Sequence, residues 1–352
     1  MEKAASSSGE GSDVRITYVL PYPELNGGNK VIFQHAGMLQ ELGHELTVLA
    51  EGSKPDWIRI DAAYVNIGVD VPRIPSQDLV IATYWTTIER SQQLALGPLA
   101  HFCQGYEGGL VHLAPILPRI EAAYSLPLPT LTVSPHLADL VRDRFGREGF
   151  VVPPPLDPLF RPAFRLRPRR EPWIAIPGIF GAEVKGVPTA LEAVRRLRER
   201  GYACRVLRIS VMELTEEERR LLEPDRFLTG VAPAEIAREL RECDLLLFPS
   251  REEEGFGLPL LEAMASRVPA VASRISSTVD IADGAVKLVS PGDAQAFAEA
   301  AEELLSDAGA WRRARRSGWR ASRRFRPEEV IPRLDEGVRW AHAKALEKEI
   351  AR

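Results

Sequence analysis

Residues 244–273 read D-L-L-L-F-P-S-R-E-E-E-G-F-G-L-P-L-L-E-A-M-A-S-R-V-P-A-V-A-S. The apolar run that ends at Pro249-Ser250 predicts a buried parallel strand. Pro259 predicts the start of the following helix, because proline fits the first helical position. We therefore expect an α/β domain in which residues 251–258 form a loop at the carboxyl end of the strand.

This loop combines glycines and carboxylates. Gly255 and Gly257 let backbone amides approach a ligand closely, and the helix start adds free N–H groups and the positive end of its dipole. Such a site suits a diphosphate, whereas Glu254 and Glu262 would repel phosphate and suit paired hydroxyls as hydrogen-bond acceptors. The alternative is an ordinary strand-to-helix connection with a solvated acidic loop.

The two glutamates around G-F-G-L-P-L-L resemble the E-x7-E signature of the retaining glycosyltransferases of family 4. The resemblance implies an α/β protein of the GT-B fold, with two Rossmann-like domains facing a central cleft. It also implies transfer of a sugar from a nucleotide-diphosphate donor to an acceptor hydroxyl with retention. In that scheme Glu254 holds the sugar hydroxyls, Glu262 holds the ribose, and the backbone at Gly255, Phe256, Gly257 and Leu258 faces the donor.

Length and composition restrict the remaining classes. A chain of 352 residues favours two domains, and a net charge of -4 gives no electrostatic case for nucleic acid as a partner. Three scattered cysteines without metal-ligand spacing favour a reduced, cytoplasmic compartment. The Ser/Gly-rich residues 1–12 lack the apolar core of a signal peptide and are expected to be a disordered tail.

In the first half, an apolar run at residues 14–20 precedes Gly27-Gly28 and a helical pattern. By resemblance these glycines face a phosphate, although a plain turn is the alternative. Gln104 stands closest to the place where many relatives have a histidine facing the transferred sugar. Four side chains are candidates to line the cleft from this half, namely Tyr84, Trp85, Gln104 and Glu107, although aromatic residues at strand ends are packing residues about as often. His44 is predicted to be a turn residue.

A proline-rich segment, V-V-P-P-P-L-D-P-L-F-R-P at residues 151–162, predicts a semi-rigid connector. Arg165-Leu166-Arg167-Pro168 follows it, and the arginines of this region are expected to solvate the linker. The predicted domains are residues 13–160 on the acceptor side, a linker at 161–171, a nucleotide-sugar-binding domain at 172–325, and a helix at 326–352 that crosses back to the first domain.

In the second half, the family's glycine-arginine and lysine-glycine pairs hold the diphosphate. Lys185-Gly186 match the second pair, but Ile179 stands where the arginine is expected. Lys185 is therefore the best cation for the leaving group, with a solvated loop lysine as the alternative. Lys30 or Arg251 could substitute for the missing arginine. By resemblance, Gly230 and Val231 lie beside the nucleotide base.

The expected partners are a UDP-, GDP-, ADP- or dTDP-sugar donor and a saccharide, lipid or small-molecule acceptor. No cofactor is expected, and no metal, because no D-x-D-like pair follows a strand. An arginine-rich helix at residues 311–324 predicts a solvated face, with peripheral contact to an anionic membrane as the alternative. Two further functions stay open: a nucleotide-sugar epimerase or hydrolase, and a non-catalytic nucleotide-sugar-binding module.

Overall fold

The computed structural model describes residues 14–68 and 74–350. The predicted tail at residues 1–12 and the predicted domain limits 13 and 352 lie outside the described residues. The described chain forms two parallel β-sheets with helices packed on them. No described helix has the length and apolar character needed to cross a membrane.

The first sheet has seven strands in the order β3-β2-β1-β4-β5-β6-β7, all paired in parallel. Its central strands are apolar and buried, as expected for a sheet covered by helices on both faces. The strands are β1 (Arg15–Val19), β2 (Glu45–Ala50), β3 (Ala63–Asn66), β4 (Leu79–Ala82), β5 (Leu99–Cys103), β6 (Thr130–Thr132) and β7 (Gly149–Val151). The helices are α1 (Gly27–Glu41), α2 (Trp85–Leu94), α3 (Leu117–Tyr124) and α4 (Pro135–Phe145).

The second sheet has six parallel strands in the order β10-β9-β8-β11-β12-β13. The strands are β8 (Trp173–Pro177), β9 (Arg205–Ser210), β10 (Arg226–Thr229), β11 (Leu245–Phe248), β12 (Ala270–Ser273) and β13 (Lys287–Val289). The helices are α5 (Val187–Glu199), α6 (Glu216–Leu221), α7 (Pro233–Arg241), α8 (Leu258–Ala265), α9 (Ser276–Ala282), α10 (Ala294–Ser306), α11 (Ala308–Ser322) and α12 (Pro327–Ile350).

Both sheets reverse their strand order at one point, between β1 and β4 and between β8 and β11. In open α/β sheets a ligand binds at the carboxyl ends of the strands beside such a switch point. The loops that follow β1, β8 and β11 contain the predicted glycines and charged residues. The topology therefore directs these loops to candidate binding sites.

The terminal helix α12 packs on α1 and on strands β4 to β7 of the first sheet. His44, in the turn before β2, is buried and lies 2.9 Å from Asp335 on α12 through its Nε2 atom. Its Nδ1 atom accepts a hydrogen bond of 3.2 Å from the Val14 amide. The predicted turn residue thus also anchors the returning helix.

The prediction that the linker arginines are solvated is wrong for Arg165, and Arg169 makes the same contact. Arg165 and Arg169 lie 2.8 and 3.0 Å from the carboxylate oxygens of Asp244, a fully buried side chain at the start of β11. Arg315 on α11 is also buried and donates a hydrogen bond of 2.6 Å to the carbonyl of Ala163. A buried charge needs such partners, and here the guanidinium groups fasten the linker to the second sheet.

Candidate functional site

A cavity of about 440 Å³ lies where the carboxyl ends of the two sheets face each other. Residues from both halves of the chain line it, including the loops at both switch points. The lining contains these predicted site residues: Gly27, Gly28, Gln104, Lys185, Gly230, Val231, Glu254, Phe256, Gly257, Leu258 and Glu262. Ile179 and Lys30 also line it.

The helix α8 begins at Leu258, so Pro259 occupies its second position and not the first as predicted. Gly257 caps the helix with a φ of +102°, in the left-handed region that disfavours other residues. A Cβ atom there would also lie 3.2 Å from the Phe248 ring. The sequence G-F-G-L-P therefore places the free amides of the first helical turn at the cavity, where they suit an anion.

Lys185 and Glu254 form an ion pair at one side of the cavity. The Lys185 Nζ atom lies 2.7 and 3.0 Å from the two carboxylate oxygens of Glu254. The Ser250 hydroxyl donates a second hydrogen bond to Glu254, with an oxygen–oxygen distance of 2.9 Å. The carboxylate is nearly buried, so these two donors fix its orientation. Sequence patterns placed both charges in the site but did not predict their pairing.

Lys30 and Glu262 form a second charged group across the cleft. The Lys30 Nζ atom lies 3.1 Å from Glu262 and 3.0 Å from Asp157. Burial opposes the Lys30 charge, but the two carboxylates outweigh that effect and raise the pKa of Lys30. Burial raises the pKa of Glu262, and the Lys30 cation opposes this rise. Lys30 thus neutralises the glutamate predicted to hold a ribose.

Arg251, the second candidate to replace the missing arginine, lies outside the cavity lining that the described residues form. It pairs with Glu183. A different guanidinium, that of Arg208 on β9, is fully buried and donates a hydrogen bond of 2.9 Å to the carbonyl of Gly178. It also lies 2.5 Å from Glu218, which balances its charge. The sequence analysis did not single out Arg208, and the feature that could have identified it is an arginine among the apolar residues inside a strand.

A smaller cavity of about 300 Å³ adjoins the first on the side of the N-terminal sheet. Asn26, Gly28 and Gln104 line both cavities. Tyr84 and Glu107 line the smaller one as predicted for the cleft, but Trp85 is buried as the first residue of α2 and lines neither. Of the two alternatives for Trp85, the structure shows the packing role, because its side chain is part of the core.

Glu107 is a buried carboxyl in this smaller cavity. Burial raises its pKa from 4.5 to about 7, although a hydrogen bond of 2.6 Å from the Tyr124 hydroxyl opposes the rise. Among the described residues, no three His, Cys, Asp or Glu side chains form a cluster that could hold a metal ion.

Gly255 does not line either cavity and instead makes a contact between the two halves. Its carbonyl accepts a hydrogen bond of 3.1 Å from the Ser134 hydroxyl. A Cβ atom at Gly255 would lie 1.8 Å from the carbonyl oxygen of Gln104, so only glycine permits this approach. The glycine predicted to contact a ligand therefore brings the two halves of the cleft together.

Comparisons with known proteins agree with this architecture. The family model described as "Glycosyl transferases group 1" matches residues 171–307. The D-inositol 3-phosphate glycosyltransferase of Corynebacterium urealyticum is 38% identical over 98 residues, which are 27% of this chain and 23% of that protein. A phosphatidyl-myo-inositol mannosyltransferase of Mycolicibacterium smegmatis is 27% identical over 348 residues, covering 84% of this chain and 85% of its own.

Solved structures show the same fold at low sequence identity. Sucrose-phosphate synthase from Thermosynechococcus elongatus has a TM-score of 0.77 and 18% identity, over 94% of this chain and all of that one. Anabaena HepE in complex with UDP-glucose has a TM-score of 0.74 and 14% identity, over 92% and 99% of the two chains. Both likenesses support the fold.

Proposed function

Since this chain has the GT-B fold and its residues 171–307 form a group 1 glycosyltransferase domain, we propose that it is a retaining, metal-independent glycosyltransferase. It moves a sugar from a nucleotide-diphosphate donor to an acceptor hydroxyl. The observation that carries the proposal is the single cavity in which the α8 amides, the Lys185–Glu254 pair and Glu262 meet.

Each group in this cavity has a role in holding the donor. Glu262 accepts hydrogen bonds from the ribose hydroxyls, and Glu254 accepts them from the sugar, because ionised carboxylates are acceptors only. The amides at Gly257 and Leu258 face the diphosphate. Gly230 and Val231, which follow β10, lie beside the nucleotide base. Gln104 approaches the sugar from the first half of the chain.

Lys185 supplies the positive charge for the leaving diphosphate. In the structure its side chain is 33% exposed and its ammonium group is paired with Glu254, so it is held at the cavity and can turn towards a phosphate. In a closed cleft a fixed cation stabilises developing negative charge more strongly than in water. The lysine and the helix amides thus do the work for which other sugar transferases use a metal ion.

The reaction needs no general base from the protein. The bond from the acceptor oxygen to the anomeric carbon forms on the face from which the bond to the leaving phosphate breaks. The acceptor proton passes to an oxygen of that phosphate, so charge and atoms balance. The role of the protein is to position the two substrates and to stabilise the diphosphate.

The donor base and the acceptor define the test. Anabaena HepE has been solved with UDP-glucose, so UDP-sugars belong in the first panel, with GDP-, ADP- and dTDP-sugars beside them. A saccharide, lipid or small molecule can supply the acceptor hydroxyl. The three cysteines are free and buried, which agrees with a reduced cytoplasmic compartment.

The first experiment measures thermal stabilisation by the nucleotide-sugar panel, because a ligand that binds the native state raises its melting temperature. Transfer rates are then measured with the stabilising donor in excess chelator and after addition of Mn²⁺. We expect full activity in chelator and loss of transfer in Lys185→Ala. Lys287→Ala is the matched control, because Lys287 pairs with Glu303 at the surface of the same half. Activity that vanishes with chelator and returns with Mn²⁺ would reject the metal-free mechanism.

One observation favours a second candidate. Ile179 lines the cavity where the family has an arginine, so the diphosphate lacks one cation. A non-catalytic nucleotide-sugar-binding module would bind a donor tightly and release no nucleotide with any acceptor. An epimerase or hydrolase would consume the donor without an acceptor. The same assay therefore separates these functions from transfer.

A further inference from the structure

We propose that the smaller cavity binds the acceptor and selects an uncharged polyhydroxyl group, with Glu107, Gln104 and Glu253 as its hydrogen-bonding residues. This inference rests on the proposed function. It adds the chemical class of the acceptor and the residues that recognise it.

The position of the smaller cavity suits an acceptor. The smaller cavity opens beside the donor cavity, and Asn26, Gly28 and Gln104 form the shared wall. A Cβ atom at Gly28 would lie 3.3 Å from the Gln104 amide nitrogen, so the amide lies directly against this glycine. A hydroxyl of a molecule in the smaller cavity thus faces the site where Gln104 meets the donor sugar.

The side chains that line the smaller cavity suit hydroxyl groups. Two carboxylates, Glu107 and Glu253, line the cavity together with uncharged polar groups. Within residues 14–68 and 74–350, the lining includes no lysine, arginine or histidine. Phosphate recognition uses arginine, lysine or helix amides, whereas carboxylates accept hydrogen bonds from hydroxyls. Asn26, Gly28 and Asn29 at the start of α1 also line the cavity, but the Asn29 amide is already bonded to the Asn26 side chain and Gly28 is shared with the donor cavity. A phosphate in the smaller cavity would therefore face two carboxyl groups, which disfavours its binding.

The surroundings of Glu107 suit a hydroxyl ligand. Its side chain is 8% exposed, and the Tyr124 hydroxyl holds one carboxylate oxygen. The other titratable groups near Glu107 are Tyr84, Tyr106 and Cys103, all uncharged at neutral pH, with Glu253 across the cavity. Because burial brings the pKa of Glu107 to about 7, the carboxyl group both donates to and accepts from a hydroxyl near neutral pH.

The second half of the chain completes the smaller cavity. Glu253 belongs to the loop after β11, and a Cβ atom at Gly109 in the first half would lie 3.1 Å from its Cγ atom. The same loop contains Glu254, which is predicted to hold the donor sugar. One loop therefore faces both substrates, which couples acceptor binding to the donor site.

The test compares matched acceptors with the donor found in the stabilisation panel. The pairs are myo-inositol with its 3-phosphate, and glucose and fructose with their 6-phosphates. We expect kcat/KM for the uncharged member of an accepted pair to be at least tenfold higher. A preference for the phosphorylated member, or donor turnover with no uncharged acceptor used, would overturn the inference. Failure of every donor to bind or react would instead overturn the proposed function itself.

Variants assign the effect to the named residues. Glu107→Gln and Glu253→Gln should each lower the acceptor kcat/KM at least tenfold and change the donor Kd less than twofold. Glu252→Gln is the matched control, because Glu252 bonds Ser276 and does not line the cavity. Unchanged acceptor kinetics in either lining variant would contradict the proposal, and if one variant folds poorly the other still provides the test.

The pH profile gives a readout that a structural role would not change. The acceptor kcat/KM of the native protein should change through an inflection near pH 7, and Glu107→Gln should remove that inflection. Tyr124→Phe should shift it to higher pH, because the lost hydrogen bond stabilised the ionised carboxylate. An inflection that remains in Glu107→Gln would assign the titration to another group and refute this role.

Discussion

The raised pKa of Glu107 predicts a pH-dependent contribution to stability. The pKa is 4.5 in the unfolded chain and about 7 in the native protein. A group whose pKa is raised by folding stabilises the native state below its unfolded pKa and loses this effect as the pH rises through the folded value. The difference of about 2.5 pH units corresponds to about 3 kcal/mol, most of which is lost between pH 5 and pH 8.

The perturbation is Glu107→Gln, which keeps the shape and removes the titration. The stability of the native protein relative to this variant should therefore fall by about 2 to 3 kcal/mol from pH 5 to pH 8. With an unfolding entropy of about 2.1 cal/mol/K per residue, this is a change of about 3 °C in the difference between their melting temperatures if all 352 residues unfold together. It is about 8 °C if roughly 150 residues around the first sheet unfold alone.

Calorimetry on both proteins at pH 5 and pH 8 measures this difference directly. Glu41→Gln, at an exposed position of α1, is the control and should keep a constant offset from the native protein. A constant offset for Glu107→Gln as well would refute the reasoning, because it would mean that folding does not change the pKa of Glu107. A native protein that gains stability relative to this variant as the pH rises would refute it too.

Three further changes test the cleft. Glu262→Gln should weaken nucleotide binding about tenfold or more in calorimetry, since a hydrogen bond to a charged group is worth about 1.5–3 kcal/mol; an unchanged affinity would sink the ribose assignment. Gly255→Ala should increase the radius of gyration in X-ray scattering, because its Cβ atom would lie 1.8 Å from the Gln104 carbonyl, whereas Gly181→Ala, with open space around the added atom, should not. Lys30→Met should cost about 2 kcal/mol of stability by leaving two nearly buried carboxylates unpaired, and an equal melting temperature would contradict that role.

The sequence predicted the fold class, and 11 of the 12 predicted site residues line the larger cavity, because those features depend on local patterns. The spacing of Glu254 and Glu262 around G-F-G-L-P, together with an apolar run before it, indicated a strand, a loop and a helix start. The observed helix begins at Leu258, one residue before the predicted start. Element boundaries depend on the backbone angles of a few residues, and the left-handed Gly257 ends the loop one position earlier than proline alone suggested.

The contacts between distant segments could not be predicted in the same way. His44 and Asp335 meet across 291 positions of sequence, and Lys30 and Glu262 across 232. No local periodicity reports such pairs, because they follow from how the two sheets and α12 pack. The packing of Trp85 in the core likewise depends on tertiary contacts, so the strand-end pattern could not decide between packing and cleft lining.

The most direct test of the central claim is the anomeric configuration of the product. Nuclear magnetic resonance would follow the transfer from an α-linked nucleotide sugar to the accepted hydroxyl, in excess chelator, with Lys185→Ala as the parallel sample. We predict an α-linked product that forms at the same rate with or without the chelator and does not form in the variant. A β-linked product, or transfer that continues unchanged in Lys185→Ala, would contradict the account.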